Sequence, residues 1–176
     1  MARWDVGKIN PPLRERADCE ALWDGIVSGD VDTVATDHVH RDISAKEGGI
    51  WKVSHGCPGL ETLLPLMLTK GHHVRGLPLG RIAAVLASAP ADAMGLAHRK
   101  GRIAVGLDAD LAIVDLKSEY LCRREDVRSS AGYSIYEGQK FTGKVEHTLV
   151  RGRFAVRNGT LVDGAVGTGR YISRKL

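Results

Sequence analysis

The ten residues Val31 to His40, VDTVATDHVH, constrain this chain more than any other stretch. The β-branched run Val31 to Thr36 predicts a buried strand. It stops abruptly at Asp37-His38-Val39-His40, where ionisable groups crowd together. Upstream, Val6 to Ile9 is a short apolar-containing run, and Asn10-Pro11-Pro12 ends it, because proline breaks regular pairing and forces an extended exit. Between the two runs, Asp18 is placed to cap a helix with apolar positions at Leu22, Ile26 and Val27 and with Gly29 just past its end. The result is a strand-helix-strand unit with its chemistry at the C-terminal end of a strand. Open parallel sheets and β/α barrels keep their active sites there.

A Gly-rich, charged loop follows from Arg41 to Gly59, long enough to suggest a functional loop. Leu60 to Lys70 reads as an apolar helix closed by Gly71 and bent at Pro65. Pro78 suits the first turn of another helix with a buried stripe of Ile82, Val85 and Leu86, and Pro90 restarts a short helix through Met94. Beyond Ala97 the pattern turns to β. Arg102–Val105 and Leu111–Leu116 are short strand-like runs, and 145–150, 154–157 and 160–162 read as three successive strands. Arg151-Gly152-Arg153 and Asn158-Gly159 occupy the hairpin turns. The chain therefore divides at residue 98: 1–98 alternate strands and helices, and 99–176 form a small β-domain with a tail.

Composition excludes several classes. With 43% hydrophobic and 26% charged residues over 176 positions, the chain has the balance of a globular protein. No apolar run reaches the roughly 18 residues of a membrane span, and Met1 to Asp5 carries no apolar leader. The net charge of +4 comes from scattered basic residues and forms no stripe, so neither nucleic acid nor membrane is an expected partner. Cys19, Cys57 and Cys122 make no C-x-x-C pair, which points to reduced thiols and a cytoplasmic location.

Asp37 is the sharpest chemical candidate. A carboxylate at a strand end beside His38 and His40 suits a metal ligand or a proton-transfer base, and it equally suits a loop cap flanked by solvated histidines. Asn10 offers a donor and an acceptor for a substrate, or serves as a turn residue before proline. His55-Gly56-Cys57-Pro58-Gly59 can bring backbone groups close to a ligand, or simply lead into the helix. His72-His73 read as surface residues, Cys57 as packing or pocket lining, Leu60 to Leu68 as core, and Arg123-Arg124 as a solvated face.

Five stretches occur in an informative order: GKINPPLR, VDTVATDHVH, GCPGLETLLPLML, KGRIAVGLDADLAIVDL and YSIYEGQKFTGKVEHTLVRGRFAVRNG. In that order they resemble the cyclic amidohydrolases, a group that includes dihydropyrimidinase (hydantoinase), allantoinase and dihydroorotase. The resemblance runs from about Gly7 into the C-terminal tail. It implies an α/β fold: the C-terminal portion of a metal-dependent-hydrolase TIM (β/α) barrel, followed by part of a small β-sandwich domain. A complete barrel needs roughly 250 residues, so this length implies only its last strands and helices. The rest of the barrel is then an expected partner, together with a small cyclic amide substrate and further copies of the protein in a homo-oligomer.

By the same resemblance, Asp37 ligates one zinc of a two-metal centre and is the general base for hydroxide attack on the ring carbonyl. Asn10 matches a substrate-contacting asparagine, and His55 and Gly56 match a loop that contacts substrate largely through backbone. Dihydroorotases typically read DHAPH, with the last histidine on the substrate carboxylate. Here His40 stands at the proline position and Arg41 at the histidine position. Arg41 is able to bind a carboxylate bidentately, yet the change favours a hydantoinase- or dihydropyrimidinase-like enzyme, with allantoinase and dihydroorotase as alternatives. The family's other metal ligands match no residue of this chain, which implies a segment inactive in isolation. The remaining alternative is a non-catalytic, dihydropyrimidinase-like oligomeric interaction protein.

Overall fold

The structure, a computed structural model, describes residues 4–175. The expectation about a leader at residues 1–3 falls outside them. Trp4–Gly7 forms a single 3-10 turn, not the start of a strand. Helix α1 spans Arg16–Ser28. Asp18 caps it from the third helical position, where its Oδ2 accepts the Glu15 N–H at 3.1 Å. The helix ends as anticipated at Gly29, whose φ of 99° is the left-handed conformation that glycine tolerates. Of the three expected apolar positions only Ile26 is buried, while Leu22 and Val27 face solvent, because no described element packs against that side.

A second helical run begins as α2 (Leu63–Leu66) and continues as a π-helical stretch over Met67–His73. Pro65 causes no break, since the first turn of a helix has N–H groups without intrahelical partners. The run passes through Gly71 rather than closing there. The third run is α3 (Leu79–Ala83), a π-helical stretch over Ala84–Ser88 and α4 (Ala89–Ala93). Pro90 lacks the N–H that would bond back along the helix, and the widened turn before it accommodates the ring. Ile26, Met67, Leu68, Leu77, Ile82 and Val85 make the buried cluster between these helices.

Four antiparallel strands follow in spatial order β1-β2-β3-β4: β1 (Leu111–Leu121), β2 (Lys140–Val150), β3 (Arg153–Arg157) and β4 (Thr160–Leu161). The two tight turns fall where the sequence placed them. Arg151 and Gly152 have φ of 50° and 76°, and Asn158 and Gly159 have 50° and 72°. That paired positive φ matches the right-handed twist of the flanking strands. The sheet meets the helices at β2. Thr69 Oγ1 donates to Thr142 O at 3.2 Å and accepts from Thr142 N at 2.9 Å. A Cβ on Gly143 would stand 2.9 Å from Leu68 Cδ1, so only glycine allows this approach. Phe141, 1% exposed, packs its ring 5.8 Å from Tyr120 and 6.1 Å from Tyr136.

Two expected strands are absent. Arg102–Val105 is irregular, with Ile103 and Val105 fully solvent-facing. Val31–Thr36 pairs with no strand; its backbone bonds go to helical segments instead, from Val31 N to Gly25 O at 3.0 Å and from Val34 N to Val85 O at 3.0 Å. A buried parallel strand needs a neighbouring strand on each side, and among the described residues no strand pairs with this run.

Candidate functional site

The Asp37 loop is built on backbone. Val39 N donates to Cys57 O at 2.9 Å, which brings the 54–59 segment alongside the TDHVH turn. Gly56 N donates to Lys8 O at 3.0 Å, which attaches the segment leading to Asn10 on the other side. Three stretches distant in sequence thus meet: 8–10, 37–39 and 54–57. Gly56 is obligatory where they cross. Its φ is 95°, and a Cβ would stand 2.6 Å from Val39 Cγ2.

Within this frame Asp37 is solvent-facing and has φ 46°, in the left-handed region. Non-glycine residues are uncommon there, although aspartate tolerates it better than most, and such positions concentrate at functional sites. Among the described residues its carboxylate has no hydrogen-bond or ion-pair partner. His38 is committed to structure: its Nδ1 accepts Gly59 N at 3.1 Å and Leu60 N at 3.3 Å, which fixes the neutral tautomer with the proton on Nε2. Asn10, Arg41 and His55 are exposed, and no described residue bonds to their side chains. The Gly56 amide is already used by Lys8, so the backbone groups of this segment without a partner among the described residues are those of His55, the Gly56 carbonyl and the Cys57 amide.

Cys57 is half-buried and lines an open apolar cleft of about 310 Å³ with Thr36, Trp23, Leu63 and Met67. Burial pushes its thiol pKa up; the Lys46 ammonium opposes this and the Asp37 carboxylate adds to it. His72 Nδ1 lies 3.0 Å from Leu77 O, so that histidine closes a helix end. Arg123 and Arg124 are exposed.

Sequence reasoning missed Lys46. It is 1% exposed. Its ammonium donates to Lys8 O at 3.0 Å and Ser54 O at 2.7 Å. Burial lowers its pKa from the ordinary lysine value; Cys57 opposes that, while Lys8 and Arg41 add to it. A lone lysine in a polar loop carries no sequence signal that it will be buried, because lysine is almost never fully buried.

The family that the sequence resembles is generally metal-dependent. Among the described residues, no group of three or more His, Cys, Asp or Glu side chains lies close enough to hold a metal ion. Zinc takes about four ligands. With His38 Nδ1 engaged by backbone, Asp37 and His40 fall short of that number, so these residues do not fit zinc by themselves.

The model of the amidohydrolase family matches residues 9–155. An allantoinase from Rubrobacter xylanophilus is 39% identical over 92% of this chain and 36% of its own length. A dihydroorotase from Methanothermobacter thermautotrophicus is 39% identical over 94% of this chain and 36% of its own. The solved L-hydantoinase (dihydropyrimidinase) of Arthrobacter aurescens superposes with a TM-score of 0.86 at 35% identity, covering 92% of this chain and 37% of that one. The chain thus spans little more than a third of the relatives it matches. Hydantoinase structures of similar coverage place its helices and sheet within part of a larger enzyme fold. By this match, over most of its length, the chain belongs to the amidohydrolase family, beside the hydantoinases, allantoinases and dihydroorotases.

Proposed function

We propose that the whole protein hydrolyses the C–N bond of a cyclic amide or ureide of hydantoin, dihydropyrimidine or allantoin type, with Asp37 as the proton carrier. The observation that carries this is Asp37 itself: an exposed, unpartnered carboxylate held at positive φ by a loop whose neighbours are pinned through backbone. A carboxylate that only capped the loop would be bonded to loop amides, as His38 is. Asp37 accepts a proton from the attacking water as its oxygen adds to the ring carbonyl. It returns that proton to the ring nitrogen as the C–N bond breaks, leaving a free N–H and a carboxylic acid, which ionises by losing its proton to water. Asn10 and the backbone of His55 orient the ring, with Gly56 as the tight turn that presents it. Arg41, exposed four residues after Asp37, is the guanidinium we assign to a substrate carboxylate, which it binds bidentately.

Asp37 would be the one ligand this chain lends to a zinc centre completed by other residues of the whole protein, and no step is derived through that metal. The isolated 176-residue chain is accordingly inactive in this reading. Its three free cysteines favour a reducing, cytoplasmic setting, and no described helix is long and apolar enough to cross a membrane. Exposed apolar side chains such as Leu13 and Trp51 support assembly with the rest of the barrel and with further copies of the protein.

The test is turnover of hydantoin, dihydrouracil, allantoin and dihydroorotate by the whole protein and its Asp37→Asn variant, with zinc measured in both. Turnover of one substrate class that drops about 10²- to 10⁴-fold in the variant is expected. Undiminished hydrolysis by Asp37→Asn removes Asp37 from the chemistry. A whole protein that opens none of the four rings leaves the non-catalytic alternative standing.

A further inference from the structure

Lys46 is among the largest fully buried side chains of the described residues. Among them it has no carboxylate partner. Burying an ammonium in this way is unfavourable unless its donors are satisfied, and a methionine would fill the same space without desolvating a charge. The bonds it makes explain its presence.

Lys46 Nζ donates to the carbonyl of Lys8, 38 positions away in sequence, and to the carbonyl of Ser54, 8 positions away. Lys8 O also accepts the Gly56 amide at 3.0 Å, so both of its acceptor positions are used. Lys8 lies two residues before Asn10, and Ser54 directly before His55. The turn that carries Lys46 is itself fixed: Asp42 Oδ1 accepts Ser44 N at 2.8 Å, and Ser54 N donates to Ala45 O at 2.9 Å.

We propose that Lys46 is a positioning residue, whose ammonium ties the backbone ahead of Asn10 to the backbone ahead of His55 and sets the spacing between these two substrate-binding segments. The proposal rests on the reading of Asn10 and His55 as substrate contacts. An ammonium suits this task because its three donors diverge, so one atom can hold two carbonyls from different segments. The tie continues to the catalytic loop. Gly56 packs against Val39, and Val39 N bonds Cys57 O, two residues from Asp37. Lys46 therefore acts on the distance between groups rather than on the reacting atoms.

The experiment compares Lys46→Met and Lys46→Gln with the parent in the whole protein. It measures steady-state kinetics on the best of the four cyclic amides and amide hydrogen exchange at Gly56. In Lys46→Met, KM should rise about ten-fold or more while kcat changes less than about three-fold, the pattern of lost binding geometry rather than lost chemistry. Gly56 amide exchange should quicken about ten-fold or more, while the Thr142 amide, held by Thr69 in the helix–sheet contact, keeps its rate. Lys46→Gln retains donors that reach one carbonyl, and it should fall between parent and Lys46→Met on both readouts.

A folded Lys46→Met with unchanged KM and unchanged Gly56 exchange overturns the proposal. So does a fall in kcat at constant KM, which would place Lys46 in the chemistry, or the failure of both variants to fold, which would make it only an anchor of the fold. If the whole protein opens no cyclic amide, the hydrolase reading fails by itself. The Gly56 exchange rate in Lys46→Met then still decides whether the tie exists.

Discussion

The imidazole of His38 holds the amide of Gly59, its Nδ1 accepting that N–H at 3.1 Å and the Leu60 N–H at 3.3 Å. The histidine next to the candidate catalytic aspartate is therefore a latch that closes the 41–59 loop onto the start of the helical run. His38→Ala leaves two amides without an acceptor, one of them half-buried, and should cost about 1–2 kcal/mol. His38→Gln offers an amide oxygen at comparable reach and should recover most of that loss. Chemical denaturation of the two variants beside the parent chain checks both values.

Gly56 marks the point where the loop crosses Val39. Gly56→Ala combines a positive φ with a Cβ 2.6 Å from Val39 Cγ2. A shift of the loop is unavoidable, at a cost of about 1–3 kcal/mol. The double variant Gly56→Ala, Val39→Ala removes the clash but not the backbone strain, and should restore only part of the stability. Full restoration would assign the whole cost to packing.

Asp37 separates stability from chemistry. Its φ of 46° is unfavourable for a side chain bearing a Cβ. Asp37→Gly should leave the melting temperature unchanged or raise stability by up to about 1 kcal/mol, while removing the carboxylate. In the whole protein the same change should abolish turnover. A variant that melts earlier would show that the carboxylate supports the loop.

Asp108 predicts the acid limb of stability. Its carboxyl pKa lies below the ordinary carboxylate value because Lys100 and then Arg99 donate to it, with burial opposing. A group whose folded pKa is depressed contributes stability that is fully present above its unfolded pKa and is lost as pH falls through the folded pKa. The melting temperature should therefore drop as the pH passes below about 4, and Asp108→Asn should flatten that drop. Lys100 behaves oppositely. Burial lowers its pKa, but the bonds to Asp110 and Asp108 outweigh this and raise it. Its contribution is present below the ordinary lysine pKa of 10.5 and is lost as the pH rises through the raised folded value. Thermal melts across the full pH range, with Asp108→Asn and Lys100→Met, check both limbs.

Local chemistry made much of this protein legible without coordinates. Asn158-Gly159 and Arg151-Gly152 fall at tight turns, because a turn's demand for positive φ is met by two adjacent residues. Gly29 ends α1, and Ile82 and Val85 line the buried side of the third helical run, because capping and the 3.6-residue period act within a few positions. The ordered motifs likewise carried the family, which the match over residues 9–155 bears out.

Non-local relationships were not legible. VDTVAT has the composition of a buried strand, yet strand pairing is supplied by neighbours and not by the run itself, and here its backbone amides bond Gly25 and Val85 instead of a strand. Asp18 caps from inside the helix because Glu15, not Asp18, stands at its entry. Lys46 looks like any loop lysine, and only the return of Lys8 and Ser54 to the same point gives its ammonium two acceptors. The sequence by itself determined the turns, the buried stripe of the third helical run, the family and the choice of Asp37 as candidate. Tertiary structure alone decided which segments meet around that aspartate, because burial and hydrogen-bond satisfaction depend on residues brought together from distant parts of the chain.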